Sequence, residues 1–207
     1  MERVRLDCRG STLVILLLIL SVIFLMGITA LSLAVTNYKM KKLNSELKKT
    51  FYLAEAGTEE AYIITSDFVI EAIDYAISKV EELEETKRES DENALSEEVD
   101  IIFRGAFKSF IKGNCIDVSP NTSLISILKD NKSYTIYRDG YPKIDPKITE
   151  LEEGFLLEVK STYVKGNINK AIIIKCSIDI PNYNYCILND DFKLGDITRI
   201  IEWSIER

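Results

Sequence analysis

Twenty-four consecutive residues, Leu13 to Thr36, carry no charge, and this run limits what the chain can fold into more than any other feature. As a helix it extends about 36 Å, enough to cross a hydrocarbon core of about 30 Å. A secretory signal peptide is the rival reading, because Ser32-Leu33-Ala34 passes for a small-residue cleavage site. Signal h-regions usually hold about 7–15 residues, and Leu13 to Ile28 already exceeds that. A lipoprotein signal would end its apolar stretch at a cysteine, whereas Cys8 precedes this one. The run therefore reads as a single-pass anchor. The rest of the 207 residues is an ordinary charged sequence with room for one domain.

Charge and composition narrow the function classes. The first ten residues carry +1 (Arg3, Arg5 and Arg9 against Glu2 and Asp7), leaving −8 for the rest of a chain whose net charge is −7. Such an acidic remainder would repel phosphates, so no direct nucleic-acid partner is expected, although Lys39 to Lys49 is locally basic. Histidine is absent, which removes the commonest general base, the usual zinc ligand and every Ser-His or Cys-His nucleophile pair. The expectation is a protein that is not an enzyme and needs no cofactor or metal. The cysteines (Cys8, Cys115, Cys176, Cys186) form no CxxC pair; Cys176 and Cys186 are near enough to bridge if Pro181 turns the chain, and three reduced thiols are the alternative.

Lysines and arginines flank the apolar run on both sides, so charge alone leaves its orientation open. A second feature decides it. Arg9-Gly10-Ser11-Thr12-Leu13-Val14 is a short charged leader that ends in glycine and meets a small residue and then the membrane run. This resembles the type III signal of type IV prepilins and pseudopilins. The resemblance implies cleavage by a membrane aspartyl prepilin peptidase between Gly10 and Ser11 on the cytoplasmic side, with methylation of the new N-terminus at Ser11. A residue without Cβ lets the backbone lie extended in a narrow protease cleft. Major pilins carry glutamate at the fifth mature position, where this chain has Ile15. That departure fits minor pilins of the PilX type and K-type pseudopilins, which lack the glutamate and are associated with the filament tip.

No proline occurs before Pro120, and Met40, Leu43, Leu47, Phe51 and Ala54 recur at helical steps of three and four. The spacing predicts that the membrane helix continues as an amphipathic stalk to about Ile64. Within it, Phe51-Tyr52-Leu53-Ala54-Glu55-Ala56-Gly57-Thr58-Glu59-Glu60-Ala61 resembles the aromatic-x-AEAG-x-E-x-A segment that closes the first helix of PilX-type N-terminal regions. Its distance from Gly10 matches the family, whose helices run for roughly fifty residues after cleavage. The small Ala54, Ala56 and Gly57 allow close approach of another element, and Glu55, Glu59 and Glu60 are expected to face water or lysines.

Beyond residue 65 only pattern speaks. Ser66 or Asp67 can cap a second helix to about Lys87 with an apolar face of Val69, Ile73, Ala76, Val80 and Leu83. Glu81 to Glu98 is acidic, with a loop around Ser90 to Asn93, and a solvated face is favoured there over a calcium site. Leu95, Val99, Ile102, Phe103, Ala106 and Phe110 form another helical stripe. After Gly113 the pattern becomes strand-like. Phe155 to Val164 and Ile168 to Ile180 read as a hairpin turning at Lys165-Gly166-Asn167, with Tyr134 to Tyr137, Tyr185 to Leu188 and Ile197 to Ile205 as further strands. Asn189-Asp190-Asp191 with Asp196 reads as an exposed turn, and the sequons at Asn121 and Asn131 mark polar loops.

The expected fold is α+β and pilin-like: a leader over 1–10, a hydrophobic and amphipathic helix over 11–65, and an extracytoplasmic head over 66–207 ending in an antiparallel sheet. The resemblance implies a minor pilin or pseudopilin held in the membrane before assembly and then moved into a cell-surface filament. Its partners would be other major and minor pilins, the prepilin peptidase, the pilus assembly platform and, before assembly, membrane lipid. Ser21, Gly27, Ala30 and Ala34 thin the helix for packing inside the filament. The rival of another class is a membrane-tethered extracytoplasmic receptor or sensor with an uncleaved anchor. With only about ten residues on the cytoplasmic side, it would need a signalling partner.

Overall fold

A computed structural model describes residues 9–86, 92–115, 123–130, 140–188 and 194–206. The chain divides into two compact units, Met1–Lys48 and Lys49–Arg207. One helix, α1 (Arg9–Thr86), supplies the whole described part of the first unit and the first element of the second. Patterning alone ends this helix near Ile64 and caps a new one at Ser66 or Asp67. The helix is instead unbroken, and the side chains explain why. The Thr65 hydroxyl donates back to the Ala61 carbonyl at 2.7 Å, and Ser66 is buried. Residues that would cap a new helix are spent inside an existing one, and no proline or glycine lies nearby to end it.

From Thr12 to Ser45 α1 is exposed all round. Every large apolar side chain from Leu13 to Val35 leaves between 45% and 67% of its surface open. It is long and apolar enough to cross a membrane. Three hydroxyls of the run bond back to their own helix: Ser21 donates to the Leu18 carbonyl at 2.8 Å, Thr29 to that of Met26 at 2.9 Å and Thr36 to that of Ser32 at 2.9 Å. In hydrocarbon such hydroxyls have no water to turn to, so this back-bonding lets an apolar helix hold them at little cost.

In the second unit α1 is followed by α2 (Glu92–Lys112), α3 (Leu124–Lys129), β1 (Lys143–Leu151), β2 (Gly154–Lys165), β3 (Ile168–Asp179), α4 (Tyr183–Leu188), α5 (Leu194–Ile197) and β4 (Thr198–Glu206). The architecture is α+β. The four strands form one antiparallel sheet in the order β1-β2-β3-β4. The hairpin expected at Lys165-Gly166-Asn167 is present, with Lys165 opposite Ile168 and Gly166 at a φ of +59°. Strand β4 also falls where patterning placed it. Tyr185 to Leu188, read as a strand, is helix α4. Four residues are too few to separate the two periods, and the Asn182 carbonyl accepts from the amides of Tyr185 and Cys186 to begin a helical turn. Asn182 is anchored in turn by Arg104 of α2, whose guanidinium donates to its side-chain oxygen at 2.5 Å.

Strand β1 has no counterpart among the expected strands, and it contains Pro146. It is terminal in the sheet, where a residue without an N–H is tolerated. Its side chains alternate, with Ile144 and Pro146 buried and Lys143, Asp145 and Lys147 exposed. The expected strand at Tyr134 to Tyr137, the sequon asparagines Asn121 and Asn131, and Asn189-Asp190-Asp191 lie outside the described residues.

One face of the sheet packs on the helices. Ala61, Phe68, Val69, Ala72, Ala76 and Val80 of α1 share a core with Val99, Phe103, Phe107 and Ile111 of α2 and with Phe155, Leu157, Val159, Ile174, Cys176 and Ile178 of β2 and β3. Phe110 of α2 meets Phe68 and Tyr75 of α1 at ring centroid distances of 5.0 and 5.1 Å. Cross-strand ion pairs bind Lys160 to Glu206 and Lys175 to Glu202. Between layers, Lys112 and Lys108 of α2 both reach Glu150 of β1. The hydrogen bond from Lys112 and the charges of both lysines hold the Glu150 carboxyl below its ordinary range.

Candidate functional site

Two stretches of α1 carry the sequence features that suggested function. In the first, the helix begins at Arg9, so the backbone of Gly10 and Ser11 lies in its opening turn, and residues 1–8 of the leader lie outside the described residues. Farther along, Gly27, Ala30 and Ala34 fall within about 60° of arc on one face of the helix. A Cβ at Gly27 would meet nothing within 4 Å. Ser21, grouped with these three from the sequence, sits about a third of a turn from Gly27 and belongs to a different face.

The second stretch is the Phe51–Ala61 motif, and here the structure brings its members against the sheet. Ala54 is fully buried in a small cluster with Tyr163 of β2 and Ile172 of β3, flanked by Phe51 and Leu53. Phe51 also meets Tyr52 and Trp203 of β4 edge to face, at 5.7 and 6.4 Å. At Gly57 the helix backbone comes so near the sheet that a Cβ would collide with the Ser161 hydroxyl and lie 2.7 Å from Cγ of Pro142. A helical glycine costs about 1 kcal/mol relative to alanine, so its place in mid-helix has a physical reason in this contact. One helical turn on, the Tyr62 hydroxyl donates to the Thr198 carbonyl at 3.1 Å and ties α1 to β4.

The motif's glutamates divide. Glu59 is exposed and Glu55 half-buried, but Glu60, expected to face water or lysines, is 9% exposed and turned into the fold. Beside it the helix buries Thr58, Thr65 and Ser66, and the sheet buries Ser161 and Thr198. This polar seam within an apolar core carried no signal in the sequence, because serine and threonine at those spacings read as surface. The hydroxyls of Ser66, Ser161 and Thr198 find no hydrogen-bond partner among the described residues.

The edge strand β4 adds a feature that patterning did not anticipate. Ile200, Ile201, Trp203 and Ile205 are all exposed, between 44% and 62%. A bulge opposite Lys175/Cys176 disturbs the strand's alternation. Edge strands are usually shielded by charge or proline, so an apolar edge marks a surface suited to contact.

Cys115, Cys176 and Cys186 are free thiols, so the bridge considered between Cys176 and Cys186 is not formed. Cys176 points into the core from β3 and Cys186 packs against it from α4. Burial pushes both thiols up to about 11. Both stay protonated at neutral pH and are weak nucleophiles there. The unfolded chain releases these protons first, near its ordinary thiol value of about 8.5, so the two cysteines add stability fully present below that pH and lost as pH rises toward 11. Urea titrations at pH 8 and pH 10.5 should show a lower midpoint at the higher pH, and Cys176→Val should reduce that difference. Among the described residues no three Cys, Asp or Glu side chains converge where an ion could sit.

These features define a class: an α+β domain joined to a helix with the length and apolarity of a membrane span. Comparison with protein-family models, with curated proteins and with solved structures finds no match.

Proposed function

We propose that this protein is a minor pilin or pseudopilin, a structural subunit that enters a type IV pilus or related filament and helps prime assembly at its tip. The observation that carries the reading is the Gly57 contact. The glycine of the pilin-like motif is the position at which α1, having left its unpartnered apolar run, admits a β-sheet against its backbone. The exposed face of Gly27, Ala30 and Ala34 suits close packing of helices from neighbouring subunits, and the apolar edge of β4 suits contact between heads. Ile15 in place of a membrane carboxylate fits a tip subunit, which has no neighbour above it whose N-terminal amine needs neutralising. The work of such a chain is packing, with other major and minor pilins as partners and the prepilin peptidase and assembly platform acting on it.

The experiment is N-terminal mass spectrometry of the protein from cells with and without prepilin peptidase. A chain beginning at methylated Ser11 only when the peptidase is present is the expected result. An intact Met1 start in both strains would replace the filament reading with that of a tethered receptor.

A further inference from the structure

We infer that Lys39, Lys41 and Lys42 form a basic belt on α1 that binds the headgroups of anionic phospholipids where the anchor leaves the bilayer. The inference rests on α1 spanning a membrane, as the proposed function requires. From Leu13 to Tyr38 the helix carries no charge, and then three lysines follow within four residues. Glu46 is the first acidic residue after the run.

Height along the helix matters most. Because α1 is unbroken, Lys39 stands about 4.5 Å and Lys42 about 9 Å beyond Thr36. The headgroup layer on each side of a bilayer is about 5–8 Å thick. The three ammonium groups therefore fall at phosphate level or just above it, with stems able to lie along the acyl boundary. Tyr38, exposed one residue earlier, is the type of side chain that settles at this interface.

Direction around the helix gives the same answer. At about 100° per residue the three lysines cover nearly half the circumference, each on its own bearing. Met40 and Leu43, exposed at 64% and 52%, occupy the opposite side. Three cations on separate bearings at one level suit several headgroups better than one compact ligand. Nor does the protein neutralise them itself. Lys79, Lys108, Lys112, Lys160 and Lys175 all pair with carboxylates, whereas Lys39, Lys41 and Lys42 are exposed and make no ion pair among the described residues. Three unpaired charges on an otherwise acidic chain are complementary to a layer of phosphodiesters. Lys48, about 18 Å beyond Thr36, stands clear of the headgroup layer by more than a Debye length and serves as the internal control.

The test uses the full chain, reconstituted with equal phosphatidylcholine and phosphatidylglycerol and re-extracted in mild detergent. Native mass spectrometry then counts the lipids retained. The wild type should hold about threefold more phosphatidylglycerol than phosphatidylcholine, consistent with lysine attraction to an anionic surface. The ratio should fall to parity in Lys39→Gln/Lys41→Gln/Lys42→Gln and when extraction is done in about 0.5 M salt. Lys48→Gln should keep the wild-type ratio. Glutamine is a good helix former, so the triple variant should keep its helix, which circular dichroism checks. Parity in the wild type, or enrichment that survives the triple substitution, overturns the belt. So does loss of self-association in the triple variant without any change in lipid ratio, which would assign the lysines to another subunit's acidic surface. Release of the protein from vesicles by an alkaline wash, with neither lipid retained, defeats the membrane anchor itself and with it the reading on which the belt depends.

Discussion

Gly57→Leu is expected to destabilise the second unit by about 3 kcal/mol, lowering its melting temperature by about 10 °C. Leucine would raise the intrinsic helix propensity at this position by nearly 1 kcal/mol, so the prediction runs against local preference. What overrides it is the contact: the first added carbon already overlaps the Ser161 hydroxyl and crowds the Pro142 ring. Serine can rotate away, but the proline ring cannot, and the remaining leucine atoms would push β2 off the helix. Gly105 in α2 supplies the comparison, since a Cβ there meets nothing within 4 Å. Gly105→Ala should therefore be neutral or stabilising by up to about 1 kcal/mol. Calorimetry of both variants in detergent separates the two cases. A Gly57→Leu protein that melts like wild type would mean that the sheet does not close on α1 at this point. On the proposed reading, a Gly57→Leu chain that is cut at Gly10 yet fails to enter filaments would place the defect in the second unit and not in maturation.

Phe107→Ala should cost about 3–5 kcal/mol, the range expected for removing a fully buried aromatic ring. Phe107 is completely buried on α2, one turn after the equally buried Phe103 and beside Ile111, where α2 meets α1 and the sheet. Removing the ring deletes its transfer free energy and leaves a cavity between helices and strands that hydrogen bonds hold apart. Chemical denaturation should show a lowered midpoint with an unchanged slope. Truncating the exposed Ile101 on the opposite side of α2, 70% open, should shift the midpoint little. Equal effects at the two positions would contradict the packing of α2.

Elements whose evidence is local were legible in the sequence. Twenty-four uncharged residues require an apolar environment in whatever fold they join. The β2–β3 hairpin follows from alternation on both sides of a two-residue loop whose glycine takes a positive φ. The stripe from Val99 to Phe110 identifies α2 because three- and four-residue steps leave one face. Where local signals conflict or run short, the tertiary structure decided. Ser66 has the chemistry of a helix cap, yet burial against the core keeps it inside α1. Pro146 argues against a strand, yet an edge position accepts it. Tyr185 to Leu188 is too short for periodicity, and Asn182, held by Arg104 from a distant part of the chain, turns it into helix.

The candidate site divides in the same way. The sequence by itself determined the uncharged run, the Gly10-Ser11 pair that precedes it, the lysines that follow it and the presence of small residues around Gly57, because composition and spacing along one helix are properties of the chain. Only the tertiary structure decided that Gly57 faces Ser161 and Pro142, that Phe51 meets Trp203 and that Glu60 turns inward. Those partners lie between 85 and 152 residues away along the chain. A residue's partners across such a separation depend on how strands are ordered and helices aimed, and that information is carried by the packed core as a whole.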